Sequence, residues 1–186
     1  MTLLSAGVVL WFLMHSFHPA MPGVRSGVMA KIGENGWKGL VSLGLVLSLI
    51  LIVFGWRSIE PSAVYVPPEW GKTAMVPLMF LSILLFGAAN GSSNIKRVFR
   101  HPMLMGMALW GLAHLVGNGD DRSIVLFGGM TVWALIMQPF INKRDGAYEK
   151  PEAVAASAHV RLLVISLAIF VVLALVHPWI AGVSLR

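Results

Sequence analysis

Residues 40–54 read Leu-Val-Ser-Leu-Gly-Leu-Val-Leu-Ser-Leu-Ile-Leu-Ile-Val-Phe, and no charge interrupts the run from Gly39 to Trp56. A helix that crosses the hydrocarbon core of a bilayer needs roughly 20 predominantly apolar residues. Working outward, five further stretches carry no Asp, Glu, Lys or Arg: 1–24, 73–95, 101–119, 123–142 and 162–185. Trimmed of their polar ends, all six have the length of a membrane crossing. In lipid, backbone groups are satisfied only within helices or closed barrels. The period-2 alternation of a barrel is missing, so the expected fold is all-α: a bundle of about six transmembrane helices.

Composition agrees. The chain is 57% apolar and only 12% charged, where soluble domains carry about 25% charge. Its 186 residues suit a single domain, residues 1–186, with no internal repeat. The first stretch lacks a basic leader region and a small-x-small cleavage site, so it is expected to stay as helix 1. Residues 57–72 contain three prolines and are expected to form a loop. Asn118-Gly-Asp-Asp reads as a tight turn that caps the fifth helix. Residues 143–158 form the most polar connection, with room for a short surface helix.

Six crossings put both termini on one side. Ten basic residues (Arg25, Lys31, Lys38, Lys96, Arg97, Arg100, Lys143, Arg144, Lys150 and Arg161) then fall on the opposite side, against four (Arg57, Lys72, Arg122 and Arg186) on the terminal side. The positive-inside rule makes the ten-residue side cytoplasmic. The expectation is a multi-pass protein of the bacterial inner membrane with both termini periplasmic. The net charge of +6 lies in short loops at headgroup level, which points to membrane lipid as partner. A basic stripe with interleaved aromatics is lacking, so nucleic acid is not expected. With no cysteine, thiolate ligation, Fe–S clusters and thiol nucleophiles are excluded. No Ser-His-Asp set, phosphate loop or H-E-x-x-H motif is present.

Six histidines carry the functional signal, because ionisable groups at membrane depth are costly. His15, His18, His101 and His159 fall near cytoplasmic helix ends, and His114 and His177 near outer ends. His18 and His159 fit a plain interfacial role. His15 and His101 share one level, His114 and His177 the other. His101 and His114 are separated by roughly 20 Å along one helix and point about 140° apart, so they do not ligate one metal together. Met103, Met107 and Trp110 share a face with His114 and read first as helix packing. Pro102 suits the first turn of helix 4. Arg100 beside it marks the cytoplasmic face or binds an anion or propionate. Gly87-Ala-Ala-Asn-Gly91 is a G-x-x-x-G that permits close helix packing.

Several blocks together resemble the NnrU family over nearly the whole chain. They are Leu-Met-His15-Ser, Ile-Gly-Glu-Asn-Gly-Trp37-Lys-Gly-Leu, Arg100-His101-Pro-Met-Leu-Met-Gly, Trp110-Gly-Leu-Ala-His114-Leu-Val-Gly-Asn118-Gly-Asp120 and Ser-Ile-Val-Leu-Phe-Gly. The resemblance implies a link to nitrite and nitric oxide reduction, for which the bacterial members are named. It also implies kinship with plant 15-cis-ζ-carotene isomerases, which use haem b held by histidines. That mapping points to His15 and His114, whereas helix depth pairs His15 with His101. All three remain candidate haem and iron ligands. The leading expectation is a haem b membrane protein with redox or denitrification partners. Two alternatives stand beside it: a non-haem accessory or transport-like protein of the denitrification machinery, and a haem-dependent cis-trans isomerase of a polyene lipid.

Overall fold

The computed structural model describes residues 1–183, without the side chain of His18; Arg186 and the end of the stretch 162–185 lie outside the described residues. Six main helices follow one another: α1 (Thr2–Ala20), α2 (Pro22–Arg57), α3 (Gly71–Asn90), α4 (Pro102–Gly117), α5 (Asp121–Asp145) and α6 (Ala156–Ala181). A single helical turn, Ile95–Val98, lies between α3 and α4. Among the described residues the only β pairing is one bridge, Ala63 to Asp120.

Four helices, α2, α3, α5 and α6, are long and apolar enough to cross a membrane. Of the other two, α1 spans 19 residues and α4 only 16. At about 1.5 Å per residue, the 16 residues of α4 reach about 24 Å against a hydrocarbon core of about 30 Å. Each of the six charge-free stretches therefore holds a helix, and one of them, α4, falls below a full span.

Outward-facing side chains are apolar and bare, including Leu43 (72% exposed), Phe54 and Leu175. The inside is made of small residues. Ser48, Ser82, Ala88, Ala113, Ser123 and Ser166 are almost fully buried, which suits lipid, where helices associate by close backbone approach. Gly55 shows the constraint: a Cβ there would sit 2.4 Å from the Leu4 backbone nitrogen. Ser82 donates across the seam to the Gly106 carbonyl at 2.7 Å. Packed neighbours run α2, α1, α5, α4, α3, α6, and α6 returns to touch α2.

Two connections differ from expectation. Pro22–Ile32 is helical and continuous with α2 except at Gly33, whose φ of 73° and ψ of 173° break the axis. Pro22 at the helix start favours this, and the exposed, mixed surface of the segment fits an interfacial helix. Residues 146–155 hold no helix. Asn94 stitches them down instead, accepting from the Val154 N–H at 2.9 Å and donating to its carbonyl at 3.3 Å.

At the end of the bundle where α2 and α4 finish, the loop before α3 is sewn to the 118–121 turn. The Val64 and Tyr65 N–H groups donate to the Gly119 carbonyl at 2.8 and 3.0 Å. The Ser62 N–H donates to Asp121 Oδ1 at 3.1 Å, and the Asp121 N–H returns to the Ser62 carbonyl at 2.9 Å. Asp120 caps α5 as expected, accepting from the Ser123 N–H at 2.9 Å and hydroxyl at 2.7 Å. Arg122 lies 4.3 Å over the Trp56 ring and donates to the Trp56 and Ile59 carbonyls. The Trp56 indole N–H reaches the Ala181 carbonyl of α6 at 3.0 Å.

Candidate functional site

His15 sits one turn after Trp11 on α1. Its Nδ1 donates to the Trp11 carbonyl at 3.0 Å. A carbonyl only accepts, so Nδ1 carries the proton and Nε2 keeps a free lone pair. The ring is held between the Trp11 indole at 4.1 Å and the edge of Trp133 at 5.3 Å. Trp133, from α5, is fixed in turn by its N–H to Ser16 Oγ at 3.4 Å. This is a locked imidazole with one nitrogen presented, the arrangement usual for metal-binding histidines.

His101 is the residue immediately before Pro102, at the N-cap of α4. The Pro at N1 stiffens the chain there and fixes where the imidazole emerges. Its Nε2 donates to Asn142 Oδ1 on α5 at 2.8 Å, which leaves Nδ1 with the lone pair. His15 and His101 line one cavity of about 610 Å³ at the end of the bundle where α1 finishes and α4 begins, walled mainly by α1, α4 and α5. Its walls include Pro19, Ala89, Leu104, Trp133, Met137 and Ile141, and Lys96, Arg100 and Arg144 also line it. Arg144 is paired with Asp145 at 2.5 Å; the Arg100 guanidinium lies 5.3 Å over the Tyr148 ring. The volume is in the range of about 300–1,000 Å³ usual for small-molecule sites. Apolar walls, a cationic margin and imidazoles suit a flat, amphipathic anion.

His114 does not line this cavity. It is 8% exposed, and its Nδ1 donates to the Trp110 carbonyl at 2.8 Å. Phe127 stacks on it at 4.1 Å, with Trp110 at 4.9 Å. Phe127 belongs to a π-helical segment, Ile124–Gly128, inside α5. Trp133 and Phe127, the α5 partners of His15 and His114, are six residues apart, roughly 9 Å along the axis. Two nitrogens on one iron each sit about 2 Å from it. His15 and His114 thus occupy different levels, while His15 and His101 share a space. Met107 and Trp110 pack into the core around Phe127, whereas Met103 is 47% exposed and lines the cavity.

The remaining histidines have local partners. His159 Nε2 accepts the Asn94 N–H at 3.2 Å, and His177 Nδ1 donates to the Val183 carbonyl at 3.1 Å. His18 lies outside the described side chains. Among the described residues no three His, Cys, Asp or Glu side chains converge on a metal position. Trp133, Lys96 and Arg144 were not singled out by sequence. Trp133 lies in an apolar run like any lipid-facing residue, and only packing shows that it backs His15.

The family model described as NnrU protein matches residues 3–185. No curated protein and no solved structure matches the chain.

Proposed function

Since the chain belongs to the NnrU family, we propose that it is a multi-pass inner-membrane protein that holds haem b at its cytoplasmic end and serves nitrite or nitric oxide reduction. One observation carries this: a fixed imidazole with a free Nε2, His15, faces an apolar cavity of about 610 Å³ with Lys96, Arg100 and Arg144 in its lining. The residues present fit the group. His15 supplies the neutral nitrogen donor, and Arg100 matches a carboxylate electrostatically. Haem b held there supplies a redox-active iron. The indoles of Trp11 and Trp133 prevent His15 from turning and keep water from its back face. His101 is the second imidazole of the cavity, with Nδ1 as its available nitrogen. His114, enclosed by Trp110 and Phe127, serves the packing of α4 on α5. The excess of basic residues at this end supports a cytoplasmic orientation.

The test is purification in detergent from cells with ample haem, with spectra before and after dithionite. The proposal expects a Soret band that shifts on reduction and about one haem per chain by pyridine haemochrome. A colourless, folded protein from such cells overturns it and leaves a non-haem accessory role.

A further inference from the structure

A second cavity, of about 810 Å³, runs along the seam between α3 and α6. It lies beside a close approach of the two helices at one small residue, Gly87. A Cβ on Gly87 would lie 2.7 Å from Leu162 Cδ1 and 3.0 Å from Ser166 Oγ. Gly91, the other half of the G-x-x-x-G, meets no side chain from α6 within 4 Å. The seam is tight at Gly87 and hollow beside it. Ile83, Phe86, Ile165, Ile169 and Leu173 line the hollow over more than two turns of α6. Its polar residues are Lys96, Arg161, Asn90 and Ser92, and none of the described residues lining it carries a carboxylate. Ser92 and Lys96 come from the segment that follows α3, and Arg161 from the first turns of α6. The cations thus mark the cytoplasmic mouth and the branched side chains the depth.

We propose that this groove binds one anionic phospholipid, its phosphate held between Lys96 and Arg161 and an acyl chain lying along the α3–α6 seam. Charge selects the headgroup: two cations without a carboxylate favour a net negative lipid over a zwitterionic one. The branched wall accommodates the chain without polar cost. Basic pockets between transmembrane helices at cytoplasmic level are suited to such headgroups. The site is separate from the His15 cavity, although Lys96 borders both, so Arg161, which lines the groove alone, is the residue to change.

The experiment delipidates the purified protein and titrates it with phosphatidylglycerol or with phosphatidylcholine of the same chains, counting bound lipid by native mass spectrometry. Phosphatidylglycerol should be retained at least about fivefold better, and Arg161→Gln should remove most of that preference, since one cation near a membrane surface is worth roughly that factor. Arg161→Lys should keep it, and raising the salt should weaken it. Ile165→Trp, which fills the groove, should lower retention while Arg161 is intact. Equal retention of the two lipids, or an unchanged preference in folded Arg161→Gln protein, overturns the proposal. Full displacement by millimolar inorganic phosphate also overturns it, because the site would then be one for free anions.

Discussion

The two ends of the bundle are built to opposite rules. At the end where α2 and α4 finish, the outer end in the proposed orientation, the loop before α3 and the Asn118-Gly119-Asp120 turn share a bridge, two carboxylate-anchored N–H groups and the Arg122 stack on Trp56. Most polar groups there are spent on one another. At the other end, His15 and His101 line a cavity whose margin also holds Lys96, Arg100 and Arg144. Each imidazole there is fixed through one nitrogen, to the Trp11 carbonyl or to Asn142, and keeps the other for a partner. This difference is the ground for proposing the ligand at the His15 end and a structural role for the loop end.

The largest effect that breaks this contrast concerns sides. A cytoplasm-only reporter fused after Lys150 should be fully active, and one fused after Arg186 inactive; the reverse pattern would invert the two ends. Next comes Gly119→Val. A Cβ at Gly119 would lie 2.0 Å from the Tyr65 carbonyl oxygen, so the bridge must open. Melting in detergent should show a loss of about 1–3 kcal/mol, with proteolysis appearing in the loop between α2 and α3 and the haem spectrum unchanged. Asp120→Ala removes a cap and should cost about 1 kcal/mol by the same assay, while Asp120→Asn should keep most of it. Loss of haem in a folded Asp120→Asn protein would make the outer end part of the site.

The smallest effect is a pH dependence. The Tyr65 hydroxyl lies on the carbonyls of Leu115 and Asn118, 2.8 Å from the latter. Desolvation first, and the charge of Asp120 second, push its pKa above the ordinary tyrosine value. The fold therefore prefers the neutral phenol. That stability is complete below about pH 10 and fades as pH rises through the higher folded value. Tyr65→Phe should flatten this alkaline limb of the melting curve; an unchanged limb assigns it to other groups.

The all-α bundle was legible because the shortage of charge leaves lipid as the only outer solvent. The Asp120 cap and Pro102 helix start were legible because both are local chemistry. The helix at Pro22–Ile32 was not, since its Gly and Lys content mimics a loop and only the Gly33 break shows where it turns. Depth along a helix placed His15 and His101 on one level. It could not show that Phe127, through a π-helical segment, closes over His114, because a one-residue shift in helix phase leaves no mark on composition. Tautomers also lay beyond it, being set by the Trp11, Trp110 and Asn142 oxygens.

The central claim is that His15, at the open cytoplasmic end, holds the iron. Its direct test is the absorption spectrum of purified wild type, His15→Ala, His101→Ala and His114→Ala, each with haem content per folded chain. The account predicts that His15→Ala loses bound haem, that His101→Ala keeps haem but loses the six-coordinate spectrum, and that His114→Ala retains the wild-type spectrum with lower thermal stability. A wild-type spectrum in His15→Ala, or loss of haem in folded His114→Ala alone, would contradict it.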